Sequence, residues 1–140
     1  MDRAEVEKLI PHRPPFLWID RVEELEPGVH CVAWKFIDLE SPAFAGHFPS
    51  RPVLPGVFLI EAVAQTAGVM LAAAAAQEPE ALPLLAAVNR FKFLKSVGPG
   101  QELRIETRKL TDAGSMAYIE GTVSVAGEIV ARGELSVVSA

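Results

Sequence analysis

Residues 57–76 read VFLIEAVAQTAGVMLAAAAA, and this stretch decides the fold class. The run is long enough for a helix that spans a membrane. Glu61 and Gln65 lie in its first half, however, and a carboxylate at the centre of a bilayer costs on the order of 3 kcal/mol. The stretch therefore predicts a helix buried in a protein core, where a helix that is apolar all round is expected. Pro55 stands just before its start.

The rest of the chain is mostly strand-like. Alternating apolar and polar residues predict strands at 29–37, 85–93, 101–110, 116–126 and 128–138. Glycine-containing turns separate the last three, which predicts an antiparallel meander. A sheet of this kind covers a long apolar helix only by wrapping around it. We therefore expect an α+β fold in one domain, residues 1–140, with a short helix at 5–10 and a linker at 77–83.

Composition narrows the setting of the protein. The 140 residues are 50% hydrophobic and carry a net charge of -5, and the mean hydropathy is +0.26. This is apolar for a small monomer, and it predicts burial against a second copy or a greasy ligand. Cys31 is the one cysteine and the N-terminus lacks the apolar core of a signal peptide, so we expect the cytoplasm. The acidic balance argues against general nucleic-acid binding.

Three residues near the helix start suggest acid/base chemistry. His47 lies in the proline-rich loop Gly46-His47-Phe48-Pro49, Gly56 opens the helix, and Glu61 follows inside it. A buried carboxylate is expected to be paired or to stay protonated, which makes Glu61 a proton donor and a neutral His47 a base. The free N–H groups of the helix start are suited to bind a carbonyl oxygen. This set fits removal of a proton next to a carbonyl with loss of a β-hydroxyl.

The same residues are also consistent with purely structural roles. In that interpretation Glu61 accepts a hydrogen bond from a loop N–H and His47 caps a turn. The other two histidines, His12 and His30, have no chemical partners nearby in the sequence, and structural or packing roles are expected for both. No metal site is expected, because no pair of ligands stands at helical spacing.

The stretch GHFPSRPVLPGVFLIEAVAQ, residues 46–65, resembles the signature of FabZ-type β-hydroxyacyl-[acyl carrier protein] dehydratases. The segment LIPHRPPFLWIDRV at 9–22 is similar to the opening of that family, and FKFLKSVGPGQEL at 91–103 resembles its central strand and turn. The resemblance thus covers nearly the whole chain.

The resemblance implies a hotdog fold, in which an antiparallel sheet wraps one helix, and a dimer that often assembles into a trimer of dimers. It implies that His47 is the base and Glu61 the acid, contributed to one site by opposite subunits. Gly56 corresponds to the glycine that polarises the thioester carbonyl, and Gln65 to a glutamine that orients the acid. The substrate is a 3-hydroxyacyl chain on an acyl carrier protein, and no cofactor is implied. The expected substrate tunnel includes Phe48, Pro55 and Leu84.

Basic residues predict where the acidic carrier docks. Residues 90–109 hold six Lys or Arg against two Glu, a local charge of +4, while the remainder carries 7 basic against 16 acidic residues. Arg90, Lys92 and Lys95 are the expected docking residues. A pair of alternating, solvated strands would give the same local charge without any docking role.

Several departures from the family pattern leave the product open. Leu84 stands where an aromatic residue often gates the tunnel, Pro14 replaces a usual tyrosine, and alanines fill 72–76. These changes suit a specialised dehydratase of polyketide or aryl-polyene synthesis as well as fatty-acid elongation. A hotdog thioesterase and a partner subunit of a heterodimer also stay open. So does a dehydratase that also isomerises, although that group usually carries Asp at the position of Glu61.

Overall fold

A computed structural model of the chain describes residues 1–44, 47–48, 50–75 and 83–139. In chain order its elements are α1 (Arg3–Val6), β1 (Arg21–Glu26), β2 (His30–Phe36), a 3₁₀ turn (Pro42–Phe44), α2 (Gly56–Ala74), β3 (Pro83–Phe93), β4 (Glu102–Ala113), β5 (Met116–Val125) and β6 (Glu128–Ser139).

The six strands form one antiparallel sheet in the order β1-β2-β4-β5-β6-β3. The meander of β4, β5 and β6 is as predicted, with positive-φ glycines at Gly114 and Gly127 in its two turns. The β3 strand follows the long helix and lies at the far edge, where it pairs with β6. The predicted α+β architecture, a sheet around one long helix, is confirmed.

The α2 helix packs on the inner face of the sheet because small residues there let the two approach closely. A Cβ atom on Gly121 of β5 would lie 2.3 Å from Cγ1 of Val63, so only glycine fits opposite that turn of the helix. On β2 the core-facing residues are Cys31 and Ala33, both fully buried. Burial raises the pKa of the Cys31 thiol to about 12, which leaves it protonated and unreactive.

By length and apolarity alone, α2 passes the test for a membrane-spanning helix. The core helix of a globular fold passes the same test, and half of the relevant window is buried inside this protein. Its buried residues include Ala62, Val63, Ala67 and Met70, which belong to the core under the sheet. The helix is therefore the centre of the core, as expected from its glutamate and glutamine.

Two elements differ from the sequence prediction. The β1 strand was not predicted, because RVEELE is mostly charged and a register shift between Val22 and Glu24 interrupts its alternation. The first helix spans Arg3–Val6 rather than 5–10, since the Asp2 side chain caps it and Glu5 completes the capping box. The predicted linker at 77–83 lies outside the described residues except for Pro83, which begins β3.

Candidate active site

His47 is held in a loop that closes on itself before α2. Its ring Nδ1 lies 2.8 Å from the carbonyl oxygen of Val53, and the Val53 N–H donates back to the His47 carbonyl at 3.3 Å. The next residue, Leu54, is anchored by a hydrogen bond from its N–H to the Val97 carbonyl at 2.8 Å. A carbonyl only accepts, so Nδ1 carries the proton and the neutral ring presents Nε2 as an unprotonated base.

The start of α2 has free amide groups beside this histidine. Pro55 is the N-cap residue, and no side chain caps the helix within the described part of the chain. The first N–H groups therefore remain available at the positive end of the helix dipole. A side chain at Gly56 would crowd Phe93, because a Cβ atom there would lie 2.8 Å from Cε1 of that ring.

His47 and Gly56 line the same cavity, which has a volume of ≈ 610 Å³. Its walls are mostly apolar, as an acyl chain requires: Val53, Leu54, Val57, Leu59, Ile60, Phe93, Leu94, Lys95, Ser96 and Val97. Two predicted tunnel residues lie next to this cavity rather than in its wall. Phe48 stacks on the His47 ring with centroids 4.2 Å apart, and Pro55 precedes Gly56 at the helix start.

Glu61 is positioned by Gln65, one helical turn later. The Gln65 Nε2 donates to Glu61 Oε2 at 2.8 Å and also to the Phe16 carbonyl at 2.7 Å. The Gln65 Oε1 accepts from the Trp18 N–H at 2.7 Å. The glutamine is thus buried with its amide saturated, and it ties the acid on α2 to the segment that precedes β1.

Glu61 opens to a second cavity, of ≈ 170 Å³, on another side of α2. Leu84, the third predicted tunnel residue, lies in its wall with His12, Ala64, Gly68, Pro83, Leu85 and Val137. Glu61 lies five positions after Gly56, which places the two residues about 140° apart around the helix axis. Within one chain, His47 and Glu61 therefore line different cavities.

His12 has no chemical partner close by in the sequence, but the fold brings it to a distant one, Glu61. Its Nε2 lies 3.7 Å from Glu61 Oε2, across 49 positions of sequence. The spacing of residues in the sequence could not predict this contact, because the contact depends on how residues 7–18 run across α2. The placement of His12 in the segment that resembles the family opening was the available signal.

His30 also has partners, on the outer face of the sheet. Its Nε2 lies 2.6 Å from Glu106 Oε2, and its Nδ1 lies 3.8 Å from Glu24 Oε2. The hydrogen bond from His30 holds the pKa of the Glu106 carboxyl below its usual range. This pair lines neither of the two cavities and, like the His12–Glu61 pair, consists of a histidine and a glutamate.

The basic residues do not form one face. The docking prediction grouped residues 90–109 by their closeness in sequence, but β5 and β6 lie between β3 and β4 in the sheet. Arg90 and Lys92 instead share a groove of ≈ 340 Å³ with Arg132 of β6, beside Glu120 and Glu134. On β4, Arg104 lies 3.5 Å from Glu106, and Lys109 lies 2.9 Å from Asp112. Lys95 lines the His47 cavity and pairs with Glu128.

Comparison with known proteins supports the resemblance to the FabZ-type dehydratases over nearly the whole chain. A family model described as a FabA-like domain matches residues 10–134. The chain is 38% identical over 140 residues to the 3-hydroxyacyl-[acyl-carrier-protein] dehydratase FabZ of Syntrophotalea carbinolica, covering 100% of this chain and 95% of that protein. It is 41% identical over 138 residues to the protein of the same name from Geotalea uraniireducens, covering 94% and 95%.

A solved structure gives the fold independently. A chain of the dehydratase heterocomplex ApeI:P from Xenorhabdus doucetiae superposes with a TM-score of 0.82 at 23% identity, covering 96% of this chain and 90% of that one. At that identity the likeness shows the fold alone, and it confirms the expected hotdog fold.

Proposed function

The chain belongs to the FabA-like domain family and, within it, to the FabZ-type 3-hydroxyacyl-[acyl-carrier-protein] dehydratases, and we propose that it dehydrates a 3-hydroxyacyl thioester on an acyl carrier protein. The products are the trans-2-enoyl thioester and water, in fatty-acid biosynthesis. The observation that carries this proposal is the bond between His47 Nδ1 and the Val53 carbonyl. It leaves a basic Nε2 in the cavity that Gly56 also lines.

His47 begins the proposed reaction as the general base. Its Nε2 takes the proton from the carbon next to the thioester carbonyl, and negative charge develops on the carbonyl oxygen. The N–H of Gly56, at the positive end of α2, stabilises that oxygen. The step uses no cofactor, because an imidazole and a backbone amide provide the base and the donor.

Glu61 completes the reaction as the general acid. The bond from the β-carbon to the hydroxyl oxygen breaks, and the hydroxyl leaves as water with the proton of Glu61. The electron pair of the enolate closes the double bond. Gln65 supports this role, since its N–H holds one carboxyl oxygen at 2.8 Å and leaves the other to face the substrate.

A dimer brings the two half-sites together in this proposal. The two edges of the sheet differ: β1 carries Arg21 and three glutamates, whereas β3 exposes apolar side chains such as Leu84 (48%), Leu85 (45%) and Phe93 (50%). Charges deter pairing at a sheet edge, and an apolar edge with free backbone groups favours it. Two β3 strands side by side join the sheets across a two-fold axis. A trimer of these dimers in the cytoplasm is the proposed final assembly.

Turnover assays separate dehydration from thioester hydrolysis on the same fold. We expect the chain to hydrate crotonyl and longer enoyl thioesters, seen as loss of enoyl absorbance, without releasing free thiol. A hydrolase needs an activated water at the thioester, whereas His47 and Gly56 are disposed toward the α-proton and the carbonyl oxygen. Thiol release at a rate matching substrate loss would contradict the proposal. Comparing acyl chain lengths in this assay also measures which substrate length the protein prefers.

Carrier docking is proposed at Arg90 and Lys92, with Lys95 at the mouth of the His47 cavity. Arg90→Glu with Lys92→Glu reverses the charge that meets an acidic carrier, so we expect the apparent KM for carrier-linked substrate to rise roughly tenfold. A short pantetheine thioester should keep its KM, because it lacks the carrier.

The matched control for docking is Arg21→Glu on β1 with Lys35→Glu on β2. It changes the net charge of the protein by the same amount on two strands at the other end of the sheet from the groove. Equal losses in the two double variants, or on both substrates, would place the carrier elsewhere.

A further inference from the structure

His12 shares the smaller cavity with Glu61 and with no other ionisable side chain among the described residues that line it. Its Nε2 lies 3.7 Å from Glu61 Oε2, and each side chain is about one quarter exposed (25% and 24%). The other walls are apolar or small, including Ala64, Gly68 and Val137. A contact at this distance lies just beyond hydrogen-bond length, and such contacts in unliganded sites commonly tighten when substrate binds.

The segment that carries His12 is held in place by the residues around it. The guanidinium of Arg13 donates to the carbonyls of Ile10 at 3.0 Å, His12 at 2.7 Å and Glu7 at 2.9 Å. The ring of Phe16 stacks over the imidazole with centroids 6.1 Å apart. Backbone and ring are thus both held, and the approach to Glu61 follows from a constrained segment rather than from a free surface side chain.

The surroundings of the second ring nitrogen, Nδ1, determine which nitrogen of a neutral His12 carries the proton. Its Nδ1 is buried and has no hydrogen-bond partner within the described part of the chain. A buried N–H without an acceptor is less tolerated than a buried lone pair without a donor. The neutral ring therefore carries its proton on Nε2, which is the nitrogen that faces Glu61. His47 carries the opposite tautomer, since its Nδ1 is bonded to Val53.

We propose that His12 is a positioning residue for the general acid, an inference that rests on the function proposed above. Gln65 Nε2–H donates to Oε2 of Glu61 at 2.8 Å, and His12 Nε2 approaches the same oxygen to 3.7 Å. When the His12 contact tightens on substrate binding, two donors on Oε2 leave no place for a proton there, so the proton that Glu61 delivers is carried on Oε1. When that proton has moved to the departing hydroxyl, the two donors hold the carboxylate that remains.

Two His12 variants separate positioning from simple packing. His12→Leu removes the donor, and we expect kcat to fall roughly 10- to 100-fold, the range for losing a hydrogen bond to a charged group. KM should change less than about threefold, because His12 touches the acid and not the thioester. His12→Gln keeps an N–H donor and should restore most of kcat. His30→Leu, which breaks the histidine–glutamate pair on the outer face, is the matched control and should leave kcat unchanged.

The contrast between the two variants gives a readout that packing alone would not move. Leucine fills space without donating a hydrogen bond, whereas glutamine donates one, so a packing role would not make kcat follow the donor. A folded His12→Leu protein with wild-type kcat, or a folded His12→Gln protein as impaired as His12→Leu, overturns the proposal.

Nitrogen NMR of the histidine rings tests the same idea without turnover. In the neutral wild-type protein we expect His12 to carry its proton on Nε2 and His47 to carry its proton on Nδ1. A His12 proton found on Nδ1 overturns the inference even in a fully active enzyme. Failure of the proposed function would instead appear as absent turnover in the wild type, which leaves the tautomer measurement readable.

Discussion

Replacing His47 by Asn is expected to lower kcat/KM for enoyl thioester hydration by about 10²–10⁴-fold with the fold intact. Asparagine places an N–H close to the position of His47 Nδ1, so the bond to the Val53 carbonyl, 2.8 Å long in the wild type, is retained. What disappears is the basic Nε2. His47→Ala, which removes both nitrogens, should be no less impaired in turnover and less stable, since it leaves the Val53 carbonyl without its partner.

This pair of variants separates the two roles open to His47. A histidine that only closes the turn would be rescued by asparagine, so substantial activity in His47→Asn would remove it from the chemistry. Glu61→Gln is the companion change, because the new amide oxygen still accepts from Gln65 while the acidic proton is lost. It should reduce turnover by a similar factor.

The controls come from the same chain. His30→Asn and Glu106→Gln alter a histidine and a glutamate that bond to each other on the outer face, away from both cavities. Both should keep wild-type turnover. Thermal unfolding of all five variants then shows whether any loss of activity is a loss of folded protein.

Much of this fold followed from the sequence because its strongest signals are local. The 57–76 stretch predicted the helix, and the alternation after residue 101 predicted the meander, since each depends on a regular period along the chain. The β1 strand was missed because charged residues and a register shift obscure that period. The start of α2 was readable from Pro55 and Gly56, which suit a helix N-terminus.

The parts that sequence reasoning missed depend on how distant segments meet. His12 contacts Glu61 through the course of residues 7–18 over α2, and the tautomer of His47 depends on the closing of its loop onto Val53. The basic residues were grouped because they are adjacent in sequence, but β3 lies at the sheet edge with two strands between it and β4. Adjacency along the chain predicts a shared face only where consecutive strands also pair.

Mixing two inactive variants is expected to restore activity. Within one chain His47 and Gly56 line the ≈ 610 Å³ cavity, while Glu61 lies on another side of α2 in the ≈ 170 Å³ cavity. If the base of one protomer works with the acid of its partner, a mixed dimer of His47→Asn and Glu61→Gln has one intact site and one doubly altered site. Random pairing makes half of the dimers mixed, so the mixture should recover about one quarter of wild-type turnover.

The mixing experiment needs one comparison and one physical check. His47→Asn mixed with the double variant His47→Asn/Glu61→Gln forms dimers equally well but never contains an intact base, and it should stay at the parental level. Two different affinity tags on the chains show that mixed dimers have formed, and light scattering gives their size. Tagged mixed dimers without a rise in turnover would mean that His47 and Glu61 act within one protomer. A rise to the expected level instead makes the dimer the smallest catalytic unit, because Glu61 then reaches the substrate only from across the interface.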